Sequence, residues 1–269
     1  MAQGAVARES CVLRITYGLV LGLSVLASSL SFMAAAPALA QSFKDFQQEG
    51  YSFKYPQSWG DVKFSKVAAQ ALDSPTDIPD DVAPAHVECR FSASNSEIYI
   101  YPLKGVQSPD FKKKFPVVTE ATQDLKTLLQ RKTAAPKEIP LLPWMDTGTS
   151  MNARIKYLVD GNVHFVRYLS QYNPEPTPFN NADLVYAAQG LTKDDKYYVS
   201  AYLHAKAEGL ADTRESDHWS KNKFQQFSKN FPKYSADMLQ KLSKMNESAF
   251  TPPLSQFDQV VASIKVPAN

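Results

Sequence analysis

The stretch from Ser150 to Ala205 constrains the fold most, because it reads as two β-hairpins in succession. "SMNARIKYLV" and "NVHFVRYLSQY" flank Asp160-Gly161, a dipeptide that readily takes the positive φ angles of a tight turn. "ADLVYAAQGL" and "KYYVSAYLHA" follow and reverse at Lys193-Asp194-Asp195. Between the hairpins, "NPEPTPFNN" sets Pro174, Pro176 and Pro178 in a connection that cannot donate to a ladder and is stiff. Strands joined by tight reversals commit this part of the chain to an antiparallel sheet.

The flanking segments add elements of both periods. Tyr51, Phe53 and Tyr55 alternate through "YSFKYPQSWG", a short strand that Pro56 ends. Residues 72–84, "LDSPTDIPDDVAP", carry no periodicity and read as a surface loop. "AHVECRFS" and "SEIYIYPL" predict two strands turning at Ser94-Asn95, with Ile98 and Ile100 on one face and Tyr99 and Tyr101 on the other. From Pro116 the period changes: Val117, Val118, Ala121, Leu125, Leu128 and Leu129 make one stripe of an amphipathic helix, which "APKEIPLLPWMDTG" breaks. Residues 215–230 and 233–246 predict two Lys-rich helices separated near Phe231-Pro232. Residues 252–263 predict another, with Thr251 as cap and Pro252 in the first turn. Its stripe of Leu254, Phe257, Val260, Val261 and Ile264 should face the sheet. The expected fold is therefore α+β, an antiparallel β-sheet with helices packed on its faces. Strand and helix do not alternate, which disfavours a doubly wound nucleotide-binding sheet.

Residues 1–40 read as an export signal. Arg8 and Arg14 precede an apolar run from Ile15 to Leu30, and "AAAPALA" supplies small residues at Ala38 and Ala40 for cleavage before Gln41. The mature chain, 41–269, is then expected as a single α+β domain without a membrane span, in a periplasm or thylakoid lumen. No Cys follows the apolar run at this exit, which disfavours a lipid anchor. A net charge of +2 over 269 residues gives no support to nucleic acid as a partner, because phosphate binding draws on clustered Lys and Arg. With Cys11 in the signal, Cys89 stands alone and cannot form an intramolecular disulfide, so packing has to supply the stability.

Catalytic and metal patterns are weak. The histidines His86, His164, His204 and His218 are scattered, and His86 with Glu88, or His204 with Glu208, supplies at most a two-ligand fragment. There is no G-x-S-x-G elbow, and ten glycines in the whole chain offer no phosphate-cradling loop. The reading that follows is non-enzymatic, with no cofactor and no metal. The aromatics carry more information. Most of those on predicted strands should serve cross-strand packing. Tyr197 and Tyr198 are adjacent and must point to opposite faces, so one is exposed unless helices cover both sides. Trp144 in "LLPWM" and Phe179 in "PEPTPF" sit in Pro-stiffened loops, where rigid apolar groups bind partners at low entropic cost. Trp144, Phe179 and Tyr198 are thus the candidate partner-binding residues.

The run Tyr51, Phe53, Tyr55, Pro56 and Trp59, together with the closing "FDQVVASIKV", resembles the Mog1/PsbP-like group. The resemblance covers about ten residues at each end of the mature chain. It implies an αβα sandwich around an antiparallel sheet, and a non-catalytic role supporting a photosynthetic membrane complex. The middle of the chain, "NNADLVYAAQGLTKDDKYYVSAYL", instead is similar to exported bacterial proteins without a defined role. The expected function is an exported domain that binds a protein partner near a membrane surface. The alternatives are a binder of a small envelope ligand or glycan, and a hydrolase whose site assembles only in space. The signal reading predicts that N-terminal sequencing of the secreted chain begins at Gln41; a secreted chain retaining residues before Ala38 would contradict it.

Overall fold

The computed structural model describes residues 42–70, 84–136, 138–140, 142 and 151–267. The signal region, Trp144 and nearly all of the 72–84 segment lie outside these residues. β1 (Phe43–Gln48) and β2 (Tyr51–Pro56) form an antiparallel hairpin through Glu49 and Gly50, both at positive φ. Phe53 faces the core, and Trp59 closes the turn after Pro56 by packing against Phe91 and Phe257. This hairpin stands outside the main sheet and lies over one of its faces.

The sheet has seven strands: β3 (Val62–Val67), β4 (His86–Phe91), β5 (Glu97–Pro102), β6 (Ala153–Leu158), β7 (Val163–Ser170), β8 (Val185–Thr192) and β9 (Tyr197–His204). Their order is β3-β4-β5-β9-β8-β7-β6, and every neighbouring pair is antiparallel. The chain builds three strands, crosses to the far edge, and meanders back until β9 pairs with β5. The crossover carries α1 (Leu103–Val106), α2 (Pro109–Lys114) and α3 (Pro116–Arg131). Ser108 caps α2 by accepting from the Phe111 amide at 3.3 Å. α3 buries Val118, Leu125, Leu128 and Leu129 as its stripe requires, whereas Val117 is exposed.

These helices cover one face of the sheet, where Val166, Tyr168, Ala187, Leu191, Tyr198 and Tyr101 point. The opposite face, with Phe165, Leu169, Tyr186, Ala188, Val199 and Leu203, is covered by the β1–β2 hairpin and by the chain's last elements. Those elements are β10 (Lys206–Ala207), α4 (Lys221–Lys244), β11 (Phe250–Thr251), which pairs with β10, and α5 (Leu254–Ala262). The architecture is the expected α+β sandwich.

Three local expectations differ from the structure. Neither Asp160 nor Gly161 takes positive φ. A Cβ on Gly161 would stand 3.0 Å from the Ala262 carbonyl oxygen, so glycine is needed there for the close approach of α5 rather than for a mirror-image turn. α4 is one helix with Pro232 inside it, not two. Pro232 is exposed, and its missing N–H leaves one carbonyl, that of Ser228, without its helical partner, while the helix continues on either side. α5 begins after Pro253 with no side-chain cap, and Thr251 lies in β11.

The expected apolar stripe of α5 is fully buried, and Asp258 is buried with it. Tyr186 Oη donates to Asp258 Oδ1 at 2.8 Å and Arg167 Nε to the same oxygen at 2.9 Å, while Lys156 Nζ lies 2.8 Å from Oδ2. Arg167 also donates to the Arg154 carbonyl, and its guanidinium lies over the Tyr186 ring. One carboxylate thus ties α5 to β6, β7 and β8. Removing it leaves the Arg167 charge buried and uncompensated. Asp258→Ala is expected to lower unfolding stability by about 3–5 kcal/mol in urea titrations; a loss near zero would mean that the cluster does not hold α5.

Candidate functional site

α4 starts where Ser220 accepts from the Lys223 amide at 3.3 Å. Phe224, Phe227, Phe231, Tyr234 and Met238 then recur at alternating three- and four-residue steps, a single apolar stripe. Within the helix only Leu242, near its C-terminus, is fully buried. The stripe residues before it are half-buried. The N-terminal half of α4 therefore has rings that the sheet does not cover.

What meets them is a cluster of aromatic groups from two loops. The Phe179 ring stands edge-on to Phe231 at 6.1 Å and tilted to Tyr234 at 5.5 Å, and the Tyr234 hydroxyl accepts from the Phe179 amide at 2.9 Å. Trp219 stands edge-on to Phe227 at 5.0 Å, and Phe227 edge-on to Tyr234 at 5.0 Å. Such geometries suit the ring quadrupole. Burial raises the Tyr234 phenol above its ordinary pKa, so it stays a neutral hydroxyl at physiological pH.

The loops are fixed by side-chain hydrogen bonds from "NNAD". The Asn180 amide group donates to Asp183 Oδ2 at 3.0 Å, and Asn180 Oδ1 accepts from the Asp183 amide at 3.0 Å. Asn181 Oδ1 accepts from the Ala207 amide at 2.8 Å, and its amide group donates to Asp212 at 3.1 Å. Arg214 reaches back to Asp183 through Nε at 2.8 Å from each oxygen. Residues 178–183 are thereby tied to residues 207–214. Between these loops and α4 lies a groove of about 600 Å3, lined by Phe179, Leu210, Ala211, Trp219, Phe227 and Tyr234 and edged by Lys223, Lys241 and Glu215. Lys223 Nζ stands 4.5 Å from the Trp219 ring centroid. α4 itself carries Lys221, Lys223, Lys229, Lys233, Lys241 and Lys244 against the single acid Asp237.

The candidate residues from the sequence fall in different places. Phe179 does not project; it is 2 % exposed and forms part of the groove wall. Tyr198 is 3 % exposed on the other face, where its single hydroxyl proton has Gln189 Oε1 at 2.9 Å and the Leu142 carbonyl as alternative acceptors. Tyr197 is buried as well, because both faces of the sheet are roofed. Phe179 and Tyr198 are therefore not brought together, and neither offers a free ring. Trp144 lies outside the described residues. The residues that the sequence reading missed are Trp219, Phe227, Tyr234, Lys223 and Lys241. Their signal was the uninterrupted stripe from Phe224 to Met238, which the supposed break at Pro232 divided.

The histidines make no nucleophile–base pair among the described residues. His86 meets the Pro84 carbonyl at 2.8 Å and Glu88 at 3.4 Å, and His204 Nε2 meets the Asn181 carbonyl at 2.9 Å. No group of three His, Cys, Asp or Glu side chains that could hold a metal gathers among the described residues. No protein-family model matches the chain, and no curated protein sequence matches it. Burial pushes the Cys89 thiol up to about 12 from 9.0. The folded thiol stays protonated where an exposed one ionises, so between these values rising pH favours unfolding. Cys89 is expected to resist a disulfide-exchange reagent in the native chain at mildly alkaline pH and to react once urea unfolds it. Rapid native labelling would contradict this burial.

Proposed function

We propose that this chain is an exported, non-enzymatic α+β domain that holds an acidic, apolar-bearing segment of a protein partner near a membrane surface, in the α4 groove. The observation that supports this most is the pairing of aromatic walls with a lysine edge in one concavity of about 600 Å3. Rings with few torsions give contact area at low entropic cost. Lysines at the edge select the sign of the partner and speed its approach. Export rests on the leader ending at Ala40, and among the described residues no helix is long and apolar enough to cross a membrane. A Mog1/PsbP-like role beside a photosynthetic complex is the more specific form of the proposal, supported by Tyr51, Phe53, Tyr55, Pro56 and Trp59 and by the sandwich architecture.

A second reading, a glycan or other small envelope ligand, is favoured by the half-buried Trp219 ring with Gln226 and Asn230 beside it. Titration separates the two, with Trp219 fluorescence as readout. Peptides carrying a Phe or Leu flanked by Asp and Glu are expected to bind saturably and to weaken with salt. Neutral or basic counterparts are not. Phe227→Ala or Lys223→Glu should weaken binding by about tenfold or more. Saturation by oligosaccharides alone would move the site to the second reading, and affinities indifferent to both substitutions would remove the groove from either.

A further inference from the structure

On the other face of the sheet, a cavity of about 350 Å3 opens between the end of α3 and the β8–β9 reversal. Lys126 and Lys132 line it from α3 and its C-cap, Lys193 and Asp195 from the reversal, and His164 from β7. Lys126 Nζ lies 2.5 Å from Asp195 Oδ2, so the carboxylate of this cavity is already engaged. Among the described residues, neither Lys132 nor Lys193 is within salt-bridge distance of a carboxylate.

The end of α3 explains part of this charge, since cations are favoured beside the carbonyl end of a helix. It does not explain Lys193, which a different element supplies, or the imidazole facing the same space. Lys132 also sits at φ 51, a left-handed cap position where glycine is the residue of least strain. The ammonium is brought to the cavity at a conformational cost.

We propose that this cavity binds the doubly charged phosphate group of a small polar phosphomonoester, gripped by Lys132, Lys193 and His164. Ammonium-to-phosphate hydrogen bonds are charge-assisted and short, and suit a tetrahedral dianion between two lysines. The volume falls in the range of small-molecule sites and exceeds what a bare phosphate fills, leaving Leu129, Gln130 and Leu191 to flank the rest of the ester. Burial, then Lys193 and Lys132, hold the His164 imidazole below its ordinary pKa. A dianion offsets that local positive potential, which favours the ring's taking up a proton and donating a third bond. The facing charges are Lys126, Lys132, Lys193 and Asp195, and their sum is cationic. Affinity for a dianion that does not itself titrate therefore rises as pH falls.

The test follows the His164 ring by NMR while the folded chain is titrated with sulfate, inorganic phosphate, glycerol 3-phosphate, and chloride at matched ionic strength. Expected are saturable shifts with the three oxyanions, tightest for the ester, and a raised imidazole pKa in each complex. The paired substitutions Lys132→Ala and Lys193→Ala should weaken binding by about tenfold or more at an unchanged unfolding midpoint. A chloride response equal to that of sulfate would reduce the effect to screening and overturn the site. Equal affinity in the double variant would do the same. Inorganic phosphate binding as tightly as the ester would overturn the phosphomonoester assignment.

Discussion

The structure depends on a sheet that is apolar on both faces. β7, β8 and β9 are buried along nearly their whole length, with Phe165, Leu169, Tyr186 and Leu203 on one side and Val166, Tyr168, Ala187 and Tyr198 on the other. Such a sheet cannot leave either side to water, because each exposed large side chain forfeits about 1.5–3 kcal/mol of transfer free energy. Both layers above it follow from that. The largest polar groups that enter the interior are matched, Asp258 by Arg167 and Tyr186 and Gln189 by Tyr168 and Tyr198, whereas the buried Ser200 hydroxyl has no hydrogen-bond partner among the described residues.

The same requirement explains the groove. The layer over the Tyr186 face is occupied by α5 and by the β1–β2 hairpin, so α4 buries only its C-terminal end, around Leu242. Its N-terminal half keeps a full stripe of rings with no sheet beneath. Phe179 and Trp219 supply partial cover from loops that Asn180, Asn181 and Asp183 fix in place. The cover is incomplete, and a lysine-edged aromatic concavity remains. The sheet and α5 thus form the scaffold, and the groove sits on a helix whose single fully buried residue is Leu242.

Much of the scaffold was legible because its signals are local. The β7–β8–β9 strands announced themselves by composition and by turn residues, and the α5 stripe by spacing alone. β1 and β3 were missed for an identifiable reason. "FKDFQQ" has no period of two, and "VKFSKV" is interrupted by lysines, as suits a strand at a sheet edge. Pro232 was read as a break because propensity sees the lost N–H but not the rings of Phe227, Phe231 and Tyr234 that pack on either side of it. The site was less legible still. Phe179 was recognised as a rigid aromatic, yet its direction is decided by Tyr234, which is distant in sequence. Residues 178–179, 209–211 and 219–241 meet only after folding, and no spacing in the sequence expresses that meeting.

The central claim is that the N-terminal half of α4 is a binding wall held over a groove rather than a core helix held on the sheet. Hydrogen–deuterium exchange along α4 tests it most directly. The account predicts faster exchange at residues 224–234 than at 239–244 in the free chain, and slowing confined to the former when an acidic aromatic peptide is added. Uniform protection along α4 in the free chain, or peptide-induced slowing that spares residues 224–234, would contradict it.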